Sequence, residues 1–145
     1  MILYKEGDLC EATEKVIVHG CNALGVMGSG VALAIKNKWP LAYSSYKNIY
    51  DTEGLSLGNV YFVSIQDKII GNAITQPSFG KTGIHVDYNA LESCMKKINQ
   101  FCYENDIEEI AMPMIGAGLG GGDWKIIENI INRNLWWMTV KIYIL

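Results

Sequence analysis

The chain has 145 residues, half of them hydrophobic and 19% charged, with a formal net charge of −3. That length and composition give one packed domain rather than a disordered chain or an array. Scattered Lys and Arg in a net-negative chain argue against an extended nucleic-acid surface, and no apolar run reaches the roughly 20 residues that span a bilayer. A small anion stays open as a ligand, because main-chain amides hold phosphate without lysines.

In chain order, Met1-Ile-Leu-Tyr-Lys5 lacks the basic region and long apolar core of a leader and reads as a strand over Ile2–Lys5. Val16-Ile-Val-His19 reads as a buried strand over Lys15–His19. A first glycine loop, Gly20–Gly30, follows, and then a helix over Ser29–Lys38 with Val31, Ile35 and Trp39 about a turn apart. Pro40 stops it, and Leu41–Tyr50 reads as a second helical piece. Asn59–Ile65 and Lys68–Ile74 read as strands of a hairpin turning at Gln66-Asp67. Gln76–His85 is a loop containing Pro77, Gly80 and Gly83. Asp87 caps a long helix reaching Glu104, with Leu91, Cys94, Met95, Ile98 and Cys102 on one face. Ile107–Met114 is the next strand, Asp123–Asn134 the next helix, and Met138–Leu145 the closing strand.

Strands alternating with helices imply an α/β domain with helices on both faces of a mixed sheet. Ligands of such sheets sit at the carboxyl ends of strands. Three glycine-bearing loops follow strands here, and the densest carries five glycines within the seven residues Gly116–Gly122. Glycine lets a ligand approach the backbone closely, and a strand, a glycine loop and a helix start together can cradle a phosphate. The loop lacks the Gly-Lys-Ser/Thr ending of a Walker A motif.

Individual residues keep two readings. Asp123 is either a helix cap or a carboxylate beside a bound phosphate. His19 is either a satisfied core residue or a proton-transfer group next to the first glycine loop. Asn22 either shapes a turn or bonds a sugar hydroxyl, and Asp8 either turns the chain or accepts from an exocyclic amine. Lys81 is either solvated or faces an anion, and Trp136-Trp137 reads as core packing with one amphipathic surface contact. Cys10, Cys21, Cys94 and Cys102 have no CxxC spacing, and His19 and His85 have no ligand partners. Reduced thiols, no metal, no cofactor and a cytoplasmic location are the expectation.

These pieces, in this order, resemble the macrodomain family of ADP-ribose-binding modules over essentially the whole chain. The likeness rests on Gly7-Asp8-Leu9, Val16-Ile-Val-His-Gly-Cys-Asn22, Gly25-Val-Met-Gly-Ser-Gly-Val-Ala-Leu33, Pro113-Met-Ile-Gly-Ala-Gly-Leu-Gly-Gly-Gly-Asp-Trp124 and Val140-Lys-Ile-Tyr-Ile-Leu145. It implies a three-layer α/β/α fold around a mixed sheet of about six strands. By resemblance, Asp8 holds the adenine amino group beside the backbone of Leu9. Asn22, Gly25, Met27, Gly28, Ser29 and Gly30 line the distal ribose, with Ser78 and Phe79 nearby. Ile115, Gly116, Ala117, Gly118, Leu119 and Gly120 wrap the diphosphate.

Within the family, the Gly-Val-Met-Gly loop and the Asp-Trp ending are similar to glycohydrolases of terminal ADP-ribose and of DNA ADP-ribosylation. Those enzymes use a lysine after the fourth-strand Thr, and here Thr75 is followed by Gln76. The chain is more similar to the fungal-type ADP-ribose 1''-phosphate phosphatase, through His19-Gly-Cys-Asn22 and Ser78-Phe-Gly80. That resemblance implies His19 and Asp123 as a catalytic pair in a monomer that converts ADP-ribose 1''-phosphate to ADP-ribose and phosphate. The other readings are a non-catalytic ADP-ribose reader and a hydrolase that removes ADP-ribose from protein or nucleic acid.

Overall fold

A computed structural model describes residues 1–80 and 82–145. Six strands, β1 (Ile2–Glu6), β2 (Val16–Asn22), β3 (Val60–Ile65), β4 (Lys68–Gln76), β5 (Glu109–Met112) and β6 (Thr139–Ile144), form one sheet in the order β1-β6-β5-β2-β4-β3. All neighbours are parallel except the β3–β4 hairpin. Four helices flank it: α1 (Gly30–Lys38), α2 (Pro40–Thr52), α3 (Tyr88–Glu104) and α4 (Trp124–Asn134). No helix among the described residues is long and apolar enough to cross a membrane.

Each face of the sheet has its own core. On one face, Val16, Val18, Ala73, Ile110, Met112 and Ile142 pack beneath Leu91, Met95 and Ile98 of α3 and Ile127 and Ile131 of α4. On the other, Ile17, Ile70 and Ala111 meet Ile35, Trp39 and Ala42, and Cys21 and Ile74 meet Met27 and Tyr46. Alternate residues of β2 therefore enter different cores, which explains its unbroken apolar run.

The expected elements are present, with shifted ends. β2 continues three residues past His19, because Gly20, Cys21 and Asn22 pair with Ala73, Ile74 and Gln76 of β4. Pro40 ends α1 and also opens α2, where its missing N–H is not needed. β5 covers only Glu109–Met112 of the expected Ile107–Met114. A short 3-10 turn at Leu9–Glu11 is capped by Asp8, the chain-turning one of its two readings.

The topology sets the site. β4 leads through α3 to β5 on the far side of β2, so the strand order reverses at β2. β2 pairs with β5 only at Val16↔Ile110 and Ile17↔Ala111, whereas it stays with β4 to Asn22. Strands β2 and β5 part above that point, which is where α/β sheets bind ligands.

Candidate functional site

A cavity of about 600 Å³ opens at the carboxyl ends of β2, β4 and β5, between the loop after β2 and the glycine loop after β5. Its size is that of a small-molecule site.

The loop after β2 is held by Asn22. Its Oδ1 accepts from Leu24 N at 3.0 Å, its Nδ2 donates to Val26 O at 2.8 Å, and Tyr46 Oη donates to its main-chain O at 2.6 Å. Asn22 lines the cavity, but these bonds commit its side chain to the turn. Gly25 has φ +76, and a Cβ there would meet the Tyr50 ring at 2.8 Å, so only glycine lets the loop fold this tightly. The loop ends at the start of α1, where Ser29 makes no side-chain capping bond and Gly30, Val31 and Ala32 line the cavity. The first turn of α1 therefore borders the cavity, and its N–H groups have no side-chain cap. In contrast, α3 and α4 are capped by Asp87, accepting from Ala90 N, and by Asp123, accepting from Lys125 N.

The loop after β5 is fastened by its own carbonyls. Gly116 O accepts from Gly122 N at 2.8 Å, and Gly118 O from Gly121 N at 3.0 Å. Gly120 O takes both His85 N and Val86 N, at 2.7 and 3.0 Å. None of these bonds uses the N–H of Gly118, Leu119 or Gly120, and all three residues line the cavity. A Cβ on Gly120 would lie 2.6 Å from Gly116 O, and one on Gly121 2.4 Å from Gly83 O, so these glycines are required by close packing.

Asn22, Gly28, Ser29, Gly30, Phe79, Ile115, Gly116, Gly118, Leu119 and Gly120 of the expected set line this cavity. The others do not. Met27 is buried in the core with Tyr46 and Cys21, and Leu9 is buried beneath α1 and α2. Gly25 is buried against Tyr50. Ala117 packs on the α3–α4 core. Ser78 contributes its carbonyl to Gln76 Nε2 at 2.7 Å. Asp8 stands outside the cavity wall and caps the 3-10 turn through Cys10 N at 2.9 Å. Lys81 lies outside the described residues.

Neither member of the expected catalytic pair lines the cavity. His19 is fully buried and absent from the cavity wall. Its position in β2 puts it on the α2 face, where its Nε2 stands 2.6 Å from Asn72 Oδ1 and Asn72 Nδ2 donates to Ala42 O of α2. Burial lowers its pKa from 6.5 to about 4, with only partial compensation from Asn72, so it is neutral at pH 7. Asp123 is an exposed helix cap whose N–H donates to Tyr88 Oη. The structure gives each side chain a local partner, the core-residue reading for His19 and the capping reading for Asp123.

Cys21 does line the cavity, with its Sγ 3.6 Å from His19 Nε2. Cysteine, histidine and asparagine are the residue types of some thiol nucleophiles. Here the same ring nitrogen serves both Cys21 and Asn72, and burial pushes the thiol up and the imidazole down. Both neutral forms are favoured, so the cluster is structural.

Sequence reading missed Val26, Val31, Ala32 and Gly80 in the loops and helix start of the wall, and Gly20, Cys21, Gln76, Pro113 and Met114 lower in it. The last five sit at, or within two residues of, the carboxyl end of a parallel strand, the signal that would have found them. Beneath Gly20, Thr75 Oγ1 is buried without a hydrogen-bond partner among the described residues, and a Cβ on Gly20 would come within 2.9 Å of it. No Asp, Glu, His, Lys or Arg lines the cavity among the described residues.

The Macro domain family model matches residues 18–131. Over 142 residues the chain is 34% identical to a 17.5 kDa protein of the tk-vs intergenic region of Enterobacteria phage T4, covering 91% of this chain and 88% of that one. It is 27% identical to the ADP-ribose 1''-phosphate phosphatase of Candida albicans, covering 92% and 93% of the two chains. Its fold superposes on the macrodomain of Thermus aquaticus DarG with a TM-score of 0.87 at 26% identity, over 100% and 99% of the two chains.

Proposed function

Since the chain belongs to the Macro domain family, we propose that it binds ADP-ribose in the cavity at the ends of β2, β4 and β5, and hydrolyses ADP-ribose 1''-phosphate there to ADP-ribose and phosphate. The observation that carries this reading is the set of main-chain donors around the cavity: the uncapped start of α1 on one side and, on the other, the N–H groups of Gly118, Leu119 and Gly120, unused among the described residues. Two such nests suit a ligand with phosphates in more than one place.

Hydrolysis in this cavity relies on position and main-chain charge stabilisation rather than on a side-chain acid or base. Water attacks the phosphorus, the bond from phosphorus to the 1'' oxygen breaks, and a proton from water passes to that oxygen through solvent, giving ADP-ribose with a free 1''-hydroxyl and inorganic phosphate. The adenosine half supplies binding energy away from the reacting bond. The full-length likeness to the Candida phosphatase supports this substrate.

A second reading, a non-catalytic reader of ADP-ribose, is favoured by the lack of an ionisable side chain among the described wall residues. Phosphate release from ADP-ribose 1''-phosphate, measured beside calorimetry with ADP-ribose, separates the two. Both signals are expected. Binding with no release above the uncatalysed rate assigns the reader, and no binding refutes both.

A further inference from the structure

At the opposite ends of the strands, where β5 and β6 begin and α3 and α4 end, lies a second cavity of about 660 Å³. Its wall includes Asn99, Tyr103, Asp106, Glu108, Trp136 and Trp137. Trp136 and Tyr103 are 75% and 74% exposed, unusual for aromatic rings that serve only packing. Trp137 is fixed: its Nε1 donates to Asn99 Oδ1, and its ring stands edge-on to Tyr103 with centroids 6.3 Å apart. Trp136 therefore stands beside an already ordered aromatic pair rather than on a loose tail.

The charge around these rings has one sign. Asp106 and Glu108 line the cavity, Glu104 and Glu109 flank them, and all four are exposed. No Lys or Arg lines the cavity among the described residues. Arg133, one turn before Trp136, is held by Glu92 instead. The carboxyl ends of α3 and α4, at Asn105 and Leu135, add the negative ends of two helix dipoles.

Aromatic faces beside carboxylates attract an organic cation, by the ring quadrupole and by ion pairing together. We propose that this cavity is a docking site for a basic segment of a partner protein, with an arginine or lysine seated on Trp136 and Tyr103 and paired to Asp106 and Glu108. The cavity is larger than one guanidinium and open, which suits several residues of an extended chain. A second copy of this chain does not suit it, because a two-fold contact would bring the four carboxylates against themselves. Nucleic acid does not suit it either, since its phosphates carry the same sign as the rim.

The test uses the full chain and an acetylated, amidated tetra-arginine peptide, with tetra-glutamate as control. The indole N–H resonances of the four tryptophans report the location. Tetra-arginine is expected to shift Trp136 and Trp137 and leave Trp39 and Trp124 in place. Trp136→Ala is expected to weaken the peptide on the order of tenfold. The exposed pair Asp106→Asn, Glu108→Gln, which leaves the packing untouched, is expected to weaken it by at least as much. Both variants are expected to keep wild-type affinity for ADP-ribose. The proposal is overturned if tetra-arginine causes no shift at millimolar concentration, if tetra-glutamate shifts the same resonances, or if the charge-neutral pair binds as wild type does. It is equally overturned if Trp136 shifts with protein concentration alone while sedimentation shows a dimer.

Discussion

His19 is the residue on which the sequence and the structure divide most sharply, and a pH experiment decides between them. Folded, it is buried on the α2 face of the sheet with a pKa of about 4, against 6.5 when unfolded. The unfolded chain therefore binds a proton that the folded chain rejects between these values. Stability rises with pH wherever the unfolded state holds more protons, so His19 destabilises the fold as pH falls from about 6.5 to about 4, and adds nothing further below that. A shift of this size, at 1.36 kcal/mol per unit, corresponds to about 3 kcal/mol. Most of it falls between pH 7.5 and pH 4.5.

His19→Gln keeps an amide donor for Asn72 Oδ1 but cannot titrate. Urea denaturation of both proteins at pH 7.5 and 4.5 isolates the term. Wild type is expected to lose about 2 to 3 kcal/mol more than the variant over this interval, a midpoint change on the order of 1 M urea. Glu14 does not confuse the comparison. Burial works against its charge, but hydrogen bonds from Tyr143 and Lys141 hold its pKa below the usual 4.5, so its stabilising effect is kept above that value and lost only at lower pH, in both proteins alike. Parallel pH profiles for the two proteins would show that His19 titrates normally and is reachable by solvent. A variant that still binds ADP-ribose but loses phosphate release a hundredfold would restore His19 to the catalytic site.

Three substitutions test other parts of the same account. Asp123→Ala is expected to lower stability by about 1 kcal/mol, as a lost helix cap, and to leave phosphate release within a factor of two or three; thermal melting and the release assay read both, and a tenfold fall in rate would contradict the capping role. Gly120→Ala is expected to abolish measurable ADP-ribose binding in calorimetry while the protein stays folded by circular dichroism, because its Cβ would stand 2.6 Å from Gly116 O and displace the loop; wild-type affinity would remove that loop from the ligand site. Thr75→Val removes a buried hydroxyl that has no partner among the described residues, so urea denaturation is expected to show a loss below about 1 kcal/mol or a gain. A loss above about 2 kcal/mol would mean that the hydroxyl is bonded.

How much of this was legible in the sequence depends on whether the cause is local or distant. The cap Asp87 and the stripe Leu91, Cys94, Met95, Ile98 and Cys102 specify α3 within one stretch of chain, and all five stripe residues are buried. The glycine loops were legible for the same reason, since close backbone packing leaves glycine in the sequence. The direction of His19 was half legible. Alternation along β2 puts it with Ile17 rather than with Val16 and Val18, but only the fold shows that α2 and Asn72 close over that face. Asn22 had the composition of a ligand donor, yet Tyr46, 24 residues away, holds it in the turn. Trp136 and Trp137 divide as core packing and a surface contact, as their sequence implies, but only the fold shows that Trp137 is the packed one and is tied to Asn99. In each of these cases the side chain's chemistry was visible and its partner was not. Main-chain chemistry is different, because N–H groups at a strand end need no distant residue to point them at a ligand. The glycines at 116, 118 and 120 are therefore better guides to the site than its histidine, and a hydrolase built on them depends on loop geometry more than on any titrating side chain.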